Sequence, residues 1–162
     1  MTAKPVPVIP PIVKTVTVDC TPEEAFHYFT ADFHKWWPLS MHSVMAYTSN
    51  AKQKPAFVTF EQRRGGRIFE TADSGEEHIW GTVLSWEPPS LVAFSFHPGR
   101  DGQTAQTVEV TFSPAARGTE VVLSHSGWEL LGENAMNQRK GFSEGWETVF
   151  VAAYPAYARA QK

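Results

Sequence analysis

The stretch IVKTVTVDCTPEEAFHYFT, residues 12–30, changes its hydrophobic period once, and that change decides the fold. Ile12 to Val18 is rich in β-branched residues with polar ones between, the pattern of a half-buried strand. The next residues open a helix: Thr21 can cap it, Pro22 suits the first helical position, and Glu24 completes a capping box. Ala25, Phe26 and Phe29 then form its inner stripe. A second helical turn carries Phe33 and Trp36 and stops before Pro38, because the residue ahead of a proline is driven out of the α region. This corner delivers an adjacent pair, Trp36 and Trp37. Each indole can bury roughly 150–250 Å², so full exposure of both is excluded. Neighbours on a helix point about 100° apart, so one ring is expected in the core and the other at a rim.

Outward from the corner, residues 55 to 126 read as an antiparallel meander. The strand signals AFVTFEQ, IFET, EHIWGTVLSWE, LVAFSFH, TVEVTFS and TEVVLSH are separated by RRGGR, ADSG, Pro88-Pro89, PGRDGQ and PAARG. Alternation is clearest where Val108, Val110 and Phe112 share one face and Thr107, Glu109 and Thr111 the other, which predicts one wet side. A loop from Gly127 to Gly132 leads to a final helix from about Met136 to Tyr157, with Trp146, Phe150, Ala153 and Tyr157 as its apolar stripe. Gly141 and Gly145 lie one turn apart, where missing side chains would let the helix approach another surface, and Pro155 predicts a kink.

The chain of 162 residues, 42% hydrophobic, is sized for one globular domain, here 12–158, behind an extended lead-in over 1–11 containing Pro5, Pro7, Pro10 and Pro11. A net charge of −3 without a basic stripe excludes nucleic acid as a partner. Cys20 is alone, so no internal disulfide forms, and no apolar run suits a membrane span or a signal-peptide core; the setting reads as reducing and cytoplasmic.

Candidate chemistry is sparse. The six histidines show no metal-ligand spacing, so neither a metal nor another cofactor is expected. In Glu76-Glu77-His78, consecutive strand residues face opposite ways, so Glu77 and His78 cannot serve one ligand. His125 is in phase with Val121 and Leu123, and His78 with Trp80 and Trp86; each is read as a core histidine bonded to a neighbour or as a polar group orienting a ligand. Glu70 shares phase with Ile68. In an apolar cavity such a carboxyl would be pushed up and could act as a base, while the ordinary alternative is pairing with Arg63, Arg64 or Arg67. Ser49 and Lys52 match an acyl-enzyme spacing by chance, in a polar loop without companion motifs. An apolar ligand wall is the better reading: Trp80, Phe94, Phe96, Phe112, Trp146, Phe150 and Tyr154 join Trp36 and Trp37 as candidate lining residues, with Glu70, His78 and His125 as polar points.

The motifs TPEEAFHYFT, KWWP, RRGGRIFE, WGTVLSWEPP, LVAFSFHP, TVEVTFSP, GTEVVLSHSGW and GFSEGWETVF, in this order, resemble the START-like (SRPBCC, helix-grip) superfamily. Within it, they are similar to the C-terminal domain of the activator of the 90-kDa heat-shock protein ATPase. The resemblance implies an α+β fold: a curved antiparallel sheet of about seven strands around a long C-terminal helix, two short helices after the first strand, and a hydrophobic pocket between them. That fold and the aromatic residues lead us to expect a small apolar or aromatic ligand bound without obvious catalysis; the chain is expected to be a monomer or homodimer. Two alternatives follow from other members: a co-chaperone-like module binding a chaperone or another protein, and a small-molecule cyclase or hydrolase using pocket acids and bases. No nucleophile, base and orienting group stand out together in this sequence.

Overall fold

A computed structural model describes residues 8–47, 55–100 and 102–161. The lead-in through residue 7 and the Ser49 and Lys52 spacing lie outside the described residues. Strand β1 (Ile12–Val18) runs into α1 (Pro22–Thr30), whose Thr21 hydroxyl accepts from the Glu24 N–H while the Glu24 carboxylate accepts from the Thr21 N–H. After α2 (Phe33–Trp36) and a one-turn α3 (Val44–Tyr47) come β2 (Pro55–Phe60), β3 (Arg67–Ala72), β4 (Glu77–Glu87), β5 (Leu91–Phe96), β6 (Gln106–Ala115) and β7 (Gly118–Ser126). The seven strands form one antiparallel sheet in the order β1-β7-β6-β5-β4-β3-β2. Only β1 leaves sequence order, pairing with β7 along its whole length.

The sheet curls where β4 departs from simple alternation. Its register slips against β3 next to Gly81, and against β5 beside Leu84. Each extra residue bends the strand and increases its twist. Trp80 and Val83 are therefore both buried although they are three apart, and Trp86 packs edge-on against Phe26. Gly81 is required at this bend: a Cβ there would lie 1.6 Å from the Ser95 carbonyl oxygen.

The concave face is closed by helix. A 3₁₀ segment, Trp128–Asn134, takes the place of the expected loop. It leads into α4 (Ala135–Trp146), a π-helical segment Glu147–Ala153, and α5 (Tyr154–Ala160). Proline at 155 has no N–H for the carbonyls of the preceding turn, and that turn widens to i→i−5 bonding, with the Tyr154 N–H on the Val149 carbonyl. The buried stripe is consequently Trp146, Val149, Phe150, Tyr154 and Ala158, with Ala153 and Tyr157 only partly buried. Among the ties that hold this helix in place, Lys14 pairs with Glu147 at 2.6 Å, and the Arg139 guanidinium donates to the carbonyls of Pro10 and Pro11 at the end of the lead-in. No helix among the described residues is long and apolar enough to cross a membrane.

Candidate functional site

A cavity of about 650 Å³ lies between α4, the segment after α2, and the middle of the sheet. Trp37, Met41, His42 and Ser43 wall one side, Trp80, Phe96 and Pro98 the base, and residues of the final helix from Asn137 to Val149 the other side. Its aromatic wall is continuous: the Trp37 ring centroid is 5.1 Å from that of Trp80 and 5.8 Å from that of Trp146, and Phe96 lies 5.8 Å from Trp146.

The three indoles share one arrangement. The Trp37 N–H donates to the His42 carbonyl at 2.7 Å, that of Trp80 to Glu70 Oε1 at 2.7 Å, and that of Trp146 to His125 Nδ1 at 2.9 Å. An indole has one donor and no acceptor, so with that donor engaged within the protein each ring offers a bound molecule carbon surface alone.

Glu70 and His125 are the anchors behind that wall, and both are fully buried. Glu70 Oε1 takes the Trp80 N–H and the backbone N–H of Val44, joining β3, β4 and α3. The arginines near it in sequence act elsewhere: Arg63 and Arg67 face Glu61, and Arg67 also reaches Glu77. At His125 the indole donor makes Nδ1 the acceptor, so the ring proton sits on Nε2. Nε2 has no hydrogen-bond partner among the described residues and lies in a shell of Phe96, Phe142, Trp128 and Trp146 rings. Burial, with the Arg100 charge as a smaller cause, lowers the His125 pKa to about 3.

Of the residues expected from sequence to line a site, Trp37, Trp80, Phe96 and Trp146 border the cavity. Trp36 belongs to the core: its N–H donates to the Tyr28 carbonyl and its ring packs on Phe29, Phe33 and Tyr154. Phe94, Phe112 and Phe150 are buried core residues, and the Tyr154 hydroxyl is fixed to the Ala25 carbonyl at 2.7 Å. His78 faces Glu70 across the β3–β4 pair, with Nε2 3.4 Å from a Glu76 carboxylate oxygen. Glu70, His78 and His125 are thus not among the lining residues, and no acid–base set is gathered from them there.

Several lining residues escaped the sequence reading. Phe142 and Val149 stand at helical spacing from Trp146, a signal that was present. Met41, His42 and Ser43 come from a loop, where no period marks a face. Gly141 and Gly145 line the cavity too, and they make room in place of a close helix contact: a Cβ at 141 meets nothing within 4 Å, and one at 145 would touch only the His42 ring, 3.7 Å away. Burial lowers the His42 pKa, leaving the imidazole neutral at pH 7. Among the described residues, no group of three or more His, Cys, Asp or Glu could hold a metal ion.

Comparison with known proteins agrees with this architecture. The family model described as Activator of Hsp90 ATPase homolog 1-like protein matches residues 19–153. Among solved structures, the anthrahydroquino-γ-pyrone synthase Txn09, solved in a complex, is 32% identical, with 86% of this chain and 90% of that chain covered at a TM-score of 0.54. A protein from Arthrobacter aurescens shares the fold at 15% identity, over 98% and 90% of the two chains, with a TM-score of 0.64. An AHSA1-like protein from Aeromonas hydrophila does so at 16% identity, over 93% of each chain, with a TM-score of 0.59. No curated protein sequence matches the chain.

Proposed function

The chain belongs to the Activator of Hsp90 ATPase homolog 1-like family of the START-like superfamily, and on that premise we propose that it binds one small planar aromatic molecule in the cavity beside α4. The observation that carries this reading is the wall of Trp37, Trp80 and Trp146, whose N–H groups are all engaged within the protein. Such a surface gains from stacking and from removing apolar area from water, and it gains little from a polar chain. The volume of about 650 Å³ lies within the range of drug-sized ligand sites, and Gly141 and Gly145 keep one side open. The buried single cysteine, Cys20, supports a reducing, cytoplasmic setting.

Thermal unfolding against a panel of planar aromatics, with tryptophan emission read in parallel, tests the proposal. A ligand at a hundred times its Kd stabilises by about 2.7 kcal/mol, several degrees for a domain of this size. A raised midpoint with quenched indoles is the expected result. A broad panel that moves neither would overturn it.

The 32% identity to a synthase favours a second reading, in which the bound aromatic is also transformed. His42, neutral and on the cavity wall, is a candidate base for such a step. Mass spectrometry of ligands recovered after incubation separates binding from turnover.

A further inference from the structure

The charge of the cavity is one-sided. Among the described residues that line it, the ionisable side chains are His42 and Glu144, and no lysine or arginine is present. Half-buried His42, its pKa lowered by desolvation, is neutral at pH 7 and brings no positive charge. Glu144 is exposed and forms no ion pair among the described residues; Lys140, one turn earlier on the same helix, is not paired with it. Its helical neighbours on the cavity wall, Gly141 and Thr148, are small. With the indole donors engaged elsewhere, the fixed charge that an incoming ligand meets is this carboxylate.

We propose that the cavity selects a planar aromatic whose polar end donates hydrogen bonds and carries no negative charge, with that donor meeting Glu144. A phenolic or hydroquinone hydroxyl and a protonated amine share this chemistry. A carboxylate, sulfonate or phosphate on the same ring system is rejected, because it approaches a like charge with no cation on the wall to offset it. The proposal rests on the aromatic-binding reading above.

The test titrates the full chain, at pH 7 and low ionic strength, with 2-hydroxyanthracene, 2-(aminomethyl)anthracene and anthracene-2-carboxylate, reading indole quenching. Glu144→Gln and Glu144→Lys variants follow, each checked for an unchanged melting midpoint. In the wild type the hydroxyl and ammonium compounds bind more tightly than the carboxylate by on the order of fivefold, the scale of a partly exposed charge. Glu144→Gln narrows that gap, Glu144→Lys reverses it, and added salt compresses it. The tighter of the two donors identifies a neutral or a cationic ligand. Equal binding of all three to the wild type, or a preference unchanged in Glu144→Lys, overturns charge selection and leaves the aromatic-binding reading standing. Binding of none of them overturns both.

Discussion

The Trp146 indole donates to Nδ1 of His125 at 2.9 Å, linking a cavity wall residue on α4 to a fully buried histidine on β7. The bond sets both the face that the indole presents and the tautomer of the imidazole. The burial of that imidazole also makes the fold sensitive to acid. Unfolded, the ring titrates near its ordinary 6.5; folded, near 3. Between those values the unfolded chain holds the proton and the native chain does not, so stability falls as pH drops through this window. At pH 5 the loss relative to pH 7.5 is on the order of 2 kcal/mol, and His42, also lowered by burial, adds in the same direction. Urea midpoints at the two pH values should differ accordingly, and His125→Phe should remove most of the difference while lowering stability at both.

Glu70 accepts two buried donors on one oxygen. Glu70→Ala leaves the Trp80 indole and the Val44 amide without that acceptor, at about 1–3 kcal/mol for each orphaned group. Glu70→Gln keeps an oxygen there and is expected to cost less than half as much. Chemical denaturation measures both, and a red shift of tryptophan emission in the alanine variant alone would mark the loosened Trp80 ring.

Gly141 separates binding from folding. Leucine at this position replaces a poor helix former and gains about 0.8 kcal/mol of helical propensity, and its Cβ meets nothing within 4 Å. Gly141→Leu should therefore raise the melting midpoint by a few degrees while abolishing ligand-induced stabilisation. Unaltered ligand response in this variant would show that the aromatic does not occupy the α4 cavity.

The tryptophan pair divides by role. Trp36→Ala should cost about 3–5 kcal/mol through the cavity left in the core. Trp37→Phe, which keeps an aromatic ring on the wall, should lose about 1–3 kcal/mol because the His42 carbonyl gives up its donor. Only the second should weaken binding of a planar aromatic in a fluorescence titration.

Much of the fold was legible because the signals were local. The capping box at Thr21 and Glu24, the alternation through Val108, Val110 and Phe112, and the turns between strands each specify their own element, and the structure carries all of them. The site was legible only in part. Phase along a strand or a helix shows which residues face inward and says nothing of how deep they lie, so Phe94, Phe112 and Phe150 looked like wall residues and are core. The slips near Gly81 and Leu84 also reset the phase of β4, which alternation counted from one end cannot follow. Loop residues such as His42 reach the cavity through contacts distant in sequence, which no period records.

The π-helical turn at Glu147–Ala153 divides the last helix into two instruments. Before it, Gly141, Phe142 and Trp146 shape the cavity; after it, the Tyr154 hydroxyl holds the Ala25 carbonyl and that of Tyr157 holds Asp32, fastening the helix to the α1 corner. The two tasks fall to different residues, so cavity-side residues of α4 such as Gly141 and Phe142 can be exchanged without touching the tyrosine anchors. The scaffold can thus be retuned to a new guest by substitutions confined to three helical turns, its foundations left in place.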